Sequence, residues 1–348
     1  MTRKVLILYT GGTFGMDPVD GSRSRPLQPP RLSPAILKER FVSRVPELSR
    51  LADCEVEVVF NRDSAHMGPE DWLELSRRIQ KRWKKFDGFV ILHGTDTLAF
   101  TASALSMVLR PCLKPVVLTG AQRPLAALRS DARRNLISAV EIAASGPVGP
   151  RRQVSVFFDD RLLQGNRCRK RSATDFRGFE SPKSAPLAVV GASIRYLSPE
   201  KKARISRLKL KAAFEQRVAV FHLTPGFPAR AVREGMLSQV KGLVLVVFPS
   251  GTAPTHDPEL IELLREARRR KIPVIAVTEG ETDNPAESDH PPVYSAGKLL
   301  LDEGALWAGR MTPECAYIKT SLLLAQPGGA RNFAKLWKTE LASEGATE

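Results

Sequence analysis

A nearly continuous apolar run, Val5–Tyr9, stops at the glycine pair of Thr10-Gly11-Gly12-Thr13, and an apolar run ending in a turn with a single glycine follows twice. Gly88–Leu92 ends in His93-Gly94-Thr95-Asp96-Thr97, and Val116–Thr119 ends in Gly120-Ala121-Gln122-Arg123-Pro124. Strand-length runs without polar alternation belong to strands buried on both faces, the mark of a parallel sheet. Further short strands are predicted at Val56–Phe60 and Val154–Phe158. Helical patterns fall between them. Pro69 opens one in which Trp72, Leu75, Ile79, Trp83 and Phe86 share a face. Others are predicted from Leu98 to Leu109 and from Ser130 to Ala144. Alternating strands and helices make an α/β fold whose ligands bind at the carboxyl ends of the strands. The loops there would gather Thr13, Ser64, Thr95, Asp96 and Gln122 on one edge.

The rest of the chain is organised around that sheet. Asp17–Pro34, rich in Pro, Ser, Gly and Arg, has no periodicity and reads as a loop beside the first strand's end, a potential lid. Asp160–Pro186 is polar, basic and unpatterned, and contains Gly165-Asn166-Arg167-Cys168-Arg169-Lys170. Lys201–Lys211 is a charged connector. The division expected is an N-terminal domain over 1–198 carrying the motifs, a charged linker over 199–216, and a smaller α/β domain over 217–348. In the second domain strands are predicted at Val218–Leu223, Leu243–Phe248 and Val274–Val277. Helices are predicted at Pro258–Arg270, Thr312–Ala325 and Gly329–Leu341.

At 348 residues, 43% hydrophobic and 26% charged, the composition is that of an ordinary globular protein with room for two cores. Cys54, Cys112, Cys168 and Cys315 lie far apart with no CxxC pair, which argues against a zinc knuckle or disulfide scaffold and fits a reducing compartment. Val5–Tyr9 is too short for a signal peptide's apolar core, and no run is long enough to span a membrane, so the expected location is cytoplasmic. The net charge of +16 raises the question of nucleic acid. However, the positive residues are dispersed, as at Arg77–Lys85 and Arg265–Lys271, with no interleaved aromatics for base stacking. They read as solvated helix faces, with no specific nucleic-acid partner.

The chemistry begins with two threonines, each following a buried strand. A glycine pair lets backbone approach a ligand closely, so Thr10-Gly11-Gly12-Thr13 suits a nucleophile, a tight structural turn or a dinucleotide loop; the last lacks its G-x-G-x-x-G. A threonine hydroxyl needs a base or neighbouring charge to attack. Asp96 offers a proton acceptor or a partner for a substrate ammonium, and the charge of Lys170 stabilises a deprotonating hydroxyl. Each also has a plain reading: Thr95 or Asp96 as a helix cap, Lys170 as one more surface charge.

Thr10-Gly11-Gly12-Thr13 after the first strand, together with Leu92-His93-Gly94-Thr95-Asp96-Thr97, resembles the asparaginase/glutaminase family. Asp87–Thr97 with Thr101–Ser106, Arg129-Ser130-Asp131 with Asn135-Leu136, and Gly165-Asn166-Arg167 ahead of Lys170 are similar to the bacterial cytoplasmic type I L-asparaginases. Pro225-Gly226 and Gly251 before Ala253-Pro254 extend the likeness along nearly the whole chain. The resemblance implies a larger flavodoxin-like N-terminal domain, a smaller C-terminal α/β domain, and hydrolysis of asparagine to aspartate and ammonia. It implies Thr13 as nucleophile and Thr95, Asp96 and Lys170 as a second catalytic set, with Thr95 positioning water. Ser64 would bind the substrate α-carboxylate and Asp96 its α-amino group. Gly12, Ala65, His66 and Ala121 would line the substrate, with backbone near Thr13 and Ala121 holding the oxyanion. It further implies a homodimer or homotetramer without metal or organic cofactor.

Three positions depart from the family pattern. No tyrosine lies between Phe14 and Phe60, where many relatives place one that assists the nucleophile. In Asp63-Ser64-Ala65-His66-Met67 a histidine stands where relatives carry a carboxylate. Val277-Thr278-Glu279-Gly280 lacks the cysteine of an allosteric asparagine site, and Arg169 replaces a threonine beside Lys170, so that control does not carry over. Two other readings compete. One is the asparaginase-like subunit of a tRNA-dependent amidotransferase, which would carry an extra N-terminal segment. The other is a non-catalytic amino-acid-binding relative, against which the joint retention of Thr13, Thr95, Asp96 and Lys170 speaks.

Overall fold

A computed structural model describes residues 2–16, 33–146, 153–197, 208–280 and 290–344. Residues 17–32 of the anticipated lid and residues 199–207 of the anticipated linker lie outside the described residues; Pro34, the last residue of that lid, opens a helix, Pro34–Arg44. The chain divides into two units: Met1–Ser181 with Ala185–Ala203, and Pro182–Ser184 with Arg204–Glu348. Among the described residues no helix is long and apolar enough to cross a membrane.

The first unit is built on strands β1 (Lys4–Gly11), β2 (Asp53–Arg62), β3 (Gly88–Leu92), β4 (Val116–Thr119) and β5 (Val154–Phe158). They are parallel and lie in the order β2-β1-β3-β4-β5, the flavodoxin-like order, with its reversal between β1 and β3. Strand periodicity sends Val5, Ile7 and Tyr9 into one core with Leu136 and Val140. Leu6 and Leu8 enter the other with Leu75, Ile79, Ala102 and Leu105. Burial on both faces is why the sequence runs apolar without alternation. Registers pair Tyr9 with Leu92 and Leu92 with Thr119, so three loops leave the sheet at one level.

The sheet continues beyond the predicted strands. Residues 160–186, read as unpatterned, contribute β6 (Arg161–Gln164), β7 (Arg169–Lys170) and β8 (Phe179–Glu180). Further on come β9 (Ala188–Val190) and β10 (Ile194–Tyr196). β6, β9 and β10 extend the sheet antiparallel from β5, while β7 and β8 form a separate two-stranded ladder. The β5–β6 hairpin turns at Asp159 and Asp160, with φ of 44° and 62°. This is the doubly left-handed turn usually marked by Asn-Gly or Asp-Gly, here made without a glycine.

The second unit carries β11 (Val218–His222), β12 (Gly242–Val247), β13 (Val274–Thr278) and β14 (Leu306–Trp307), all parallel and in chain order. Its core packs Leu243, Leu245 and Ala276 against Leu260, Leu263 and Leu264 of helix Pro258–Arg269. Pro182–Ser184 belongs here because buried Lys183 donates to the carbonyls of Thr278 (2.8 Å), Gly309 (3.2 Å) and Met311 (3.1 Å). The helix predicted over Gly329–Leu341 spans only Phe333–Trp337. Beyond it the chain carries buried Glu344 onto buried Lys319 at 2.7 Å. The Glu344 carboxylate also accepts from the backbone N–H groups of Leu341 and Ala342. Burial by itself would raise the Glu344 carboxyl, but Lys319 and those N–H groups outweigh it and hold the group below the usual carboxylate range.

Much of the positive charge is locally neutralised. Arg78 pairs with Glu74 and Glu57, Arg82 with Glu57, and Lys85 with Glu55, so helix Pro69–Arg82 meets carboxylates of β2 rather than presenting a bare basic face.

Candidate active site

Thr13 opens a single helical turn, Thr13–Gly15, directly after β1. Gly11 and Gly12 precede it with φ of 115° and 78°, left-handed values that side chains resist. Space forbids a side chain as well: a Cβ on Gly12 would lie 2.4 Å from Cα of Gly94, and one on Gly94 would lie 2.6 Å from Oγ of Ser64. The loops after β1 and β3 therefore touch through backbone at the reversal of strand order, and the Ser64 side chain from the loop after β2 packs against Gly94. The Gly12 N–H is engaged by the Arg62 carbonyl at 3.2 Å. Thr13 is partly exposed, and among the described residues its hydroxyl has no hydrogen-bond partner.

The second cluster forms across a long sequence separation. Lys170 Nζ on β7 donates to Thr95 Oγ1 at 2.7 Å and to Asp96 Oδ1 at 2.6 Å. Thr95 is buried, whereas the Asp96 side chain is 62% exposed, which leaves its second carboxylate oxygen open to a ligand. Neither residue caps helix Leu98–Val108; Thr97 holds that position, and its hydroxyl donates to the Ser64 carbonyl at 2.7 Å. The capping explanation of Thr95 and Asp96 is thereby removed, and Lys170 is more than a surface charge.

Buried Ser64 begins a short turn, Ser64–His66, that Asp63 caps by accepting from the Ala65 N–H at 2.9 Å. Ala65 and His66 follow on the exposed side of that turn. Ala121 is buried behind β4. Its loop is fixed by residues whose role no spacing reveals. The Asp131 carboxylate accepts from the N–H groups of Gln122 and Arg123, and Asn135 donates to the Gly120 carbonyl at 3.0 Å. The Gln122 amide donates to the carbonyls of Ser172 and Asp175, both at 2.9 Å, tying this loop to the segment that follows Lys170.

His93 underlies the Thr95 turn and is fully buried. Its Nδ1 lies 2.7 Å from the Gly94 carbonyl, which can only accept, so Nδ1 carries the proton and Nε2 accepts from Thr101 Oγ1 at 2.9 Å. Burial lowers its pKa to about 4, keeping the ring neutral near neutral pH. Tyr9 is buried within β1; its hydroxyl donates to Asn61 at 3.3 Å, and burial suppresses its ionisation.

This arrangement suits acyl transfer: an accessible hydroxyl, a lysine–threonine–carboxylate set, and backbone at strand ends to receive an oxyanion. Comparison with known proteins identifies the family. The family model for the asparaginase N-terminal domain matches residues 4–202, and that for the glutaminase/asparaginase C-terminal domain matches residues 217–336. L-asparaginase 1 of Escherichia coli (strain K12) is 35% identical over 350 residues, covering 98% of each chain. A glutamyl-tRNA(Gln) amidotransferase subunit of Saccharolobus solfataricus is 32% identical over 322 residues, covering 89% of this chain and 70% of its own. The crystal structure of L-asparaginase I from Vibrio cholerae superposes with a TM-score of 0.83 at 32% identity over the whole of both chains.

Proposed function

The chain belongs to the asparaginase family, and from that premise we infer that it is an amidohydrolase converting L-asparagine to L-aspartate and ammonia. The observation that carries the site assignment is Lys170 bound to both Thr95 and Asp96 beside the Gly12–Gly94 contact. Thr13 Oγ attacks the side-chain amide carbon, its proton passes to the departing nitrogen, and ammonia leaves an ester on Thr13. Water held by Thr95 then attacks the ester. The network of Thr95, Lys170 and Asp96 takes its proton, and one returns to Thr13 as aspartate departs. Backbone groups near Thr13 and Ala121 receive the oxyanion. Ser64 holds the α-carboxylate and the open oxygen of Asp96 the α-ammonium, with Gly12, Ala65 and His66 lining the substrate. The test is release of ammonia and aspartate from a panel of free ω-amides. Equal amounts of both from L-asparagine support the reading, and none from any amide sinks it.

We assign no specific nucleic-acid partner, because the ion pairs with β2 leave helix Pro69–Arg82 without a coherent phosphate-binding face. A gel shift with tRNA should show no sub-micromolar binding at physiological salt. Such binding, weakening steeply with salt, would favour the amidotransferase reading instead. A cytoplasmic homodimer or homotetramer is the assembly proposed from the family resemblance. Light scattering on the purified protein checks this, and a monomeric mass would reject it.

His66 bears on affinity. An imidazole that replaces a carboxylate near the substrate ammonium removes one charge-assisted contact, worth roughly 1.5–3 kcal/mol. The expected Michaelis constant for L-asparagine is therefore high. His66→Asp should lower it about ten- to a hundredfold. Equal Michaelis constants for the two proteins would show that His66 does not face the substrate.

A further inference from the structure

The C-terminal unit holds a cleft of about 200 Å³ where helices Pro258–Arg269 and Ser295–Asp302 both end. Its floor is apolar and buried, made by Leu264, Ile272, Val274 and Phe333. Its rim carries the exposed cations Arg268, Lys271 and Arg331. Glu303 also lines it, but Arg265 engages that carboxylate with bonds of 3.0 and 2.6 Å.

The pairing of the neighbouring cations sharpens the contrast. On the same helix Arg265 holds Glu303, Arg269 holds Glu262 and Glu266, and Arg270, just past the helix end, holds Glu266. Among the described residues Lys271 and Arg331 make no ion pair or side-chain hydrogen bond; Arg268 makes no such bond either, and its charge only adds to that of Arg265 in holding the Glu303 carboxyl below the usual carboxylate range. Complementing a helix C-terminus accounts for cations at Arg268 and Lys271. It does not account for Arg331, which precedes helix Phe333–Trp337, at the end where positive charge is disfavoured. Lys271 is also strained. Its φ is 58°, at the helix-ending position where Ile272 N–H returns to the Ala267 carbonyl and glycine is the usual residue. A lysine kept where glycine fits better invites a role for its charge.

We propose that this cleft binds a small amphipathic carboxylate, its apolar body on Leu264, Ile272, Val274 and Phe333 and its anion between Arg268, Lys271 and Arg331. A cavity of roughly 150 Å³ accepts a benzene ring, and drug-sized pockets begin near about 300 Å³. The space therefore suits one ring or a short branched chain. Arg331 and Arg268 supply planar donor forks for the carboxylate. Nothing in the cleft involves Thr13, Thr95, Asp96 or Lys170.

The test is calorimetric titration of the full chain with 3-phenylpropionate, its neutral amide 3-phenylpropanamide, and inorganic phosphate. The expected result is saturable binding of the carboxylate, at least about tenfold tighter than the amide or phosphate. Arg331→Gln and Lys271→Gln should each weaken it about five- to tenfold while leaving ammonia release from L-asparagine unchanged. Lys271→Gly should raise the melting temperature by about 1–2 °C and still lose the affinity. The proposal is overturned if the carboxylate does not saturate, if amide and carboxylate bind alike, or if binding survives both rim substitutions. A Lys271→Gly protein that is stabilised and binds as before would reduce Lys271 to a helix end.

Discussion

Thr13→Ala should fold normally and release ammonia from L-asparagine at least about 10⁴-fold more slowly than the parent protein, the scale of losing an attacking hydroxyl. The fold should survive because the Thr13 hydroxyl has no partner among the described residues and the side chain is partly exposed. Truncation at such a site costs little stability, within about 1 kcal/mol. The turn that places the residue is set by Gly11, Gly12 and the contact with Gly94, none of which the substitution alters. Circular dichroism and thermal melting alongside turnover separate the two effects. A Thr13→Ala protein with near-parental turnover would remove Thr13 from the chemistry.

Lys170→Met should lower turnover by about 10²–10⁴, the range for a positioned proton-transfer group, while changing the Michaelis constant far less. Methionine keeps the length of the stem and removes the ammonium that donates to Thr95 and Asp96. The remaining Asp96 carboxylate is largely solvated, so no stranded buried charge obscures the result. Steady-state kinetics give the split directly. Unchanged turnover would return Lys170 to a role in holding β7 and the Thr95 turn together.

The parts of this structure that were legible in the sequence share one physical cause. β1, β3 and β4 are buried on both faces, so Val5–Tyr9, Gly88–Leu92 and Val116–Thr119 had to be apolar throughout. Their loops require glycine at close backbone approaches, which marked Thr13 and Thr95. The antiparallel strands after β5 left no such trace. They are two to four residues long, partly exposed, and turned by Asp159-Asp160 instead of a glycine pair. The helix predicted over Gly329–Leu341 is realised only at Phe333–Trp337, and the chain beyond it runs to the buried pairing of Glu344 with Lys319, a contact no local pattern announces.

In the site, Lys170 lies 75 residues from Thr95, and no spacing argument connects them. Family resemblance suggested that partnership, and the geometry of β7 supplies its contact. Asp131, Asn135 and Gln122 were marked in the sequence by resemblance or by their place at a strand end, but their contacts in support of this loop were not. Each acts by holding a backbone carbonyl or N–H, which any residue type carries.

A covalent ester on Thr13 is the account's central claim, and partitioning to an added nucleophile tests it most directly. With hydroxylamine present, the enzyme should form β-aspartyl hydroxamate and aspartate in one fixed ratio, whether the donor is L-asparagine or the β-methyl ester of L-aspartate. A common acyl-enzyme requires this independence of the leaving group. Absence of hydroxamate, or a ratio that changes with the leaving group, would mean that water attacks the substrate directly and that no ester on Thr13 lies on the path.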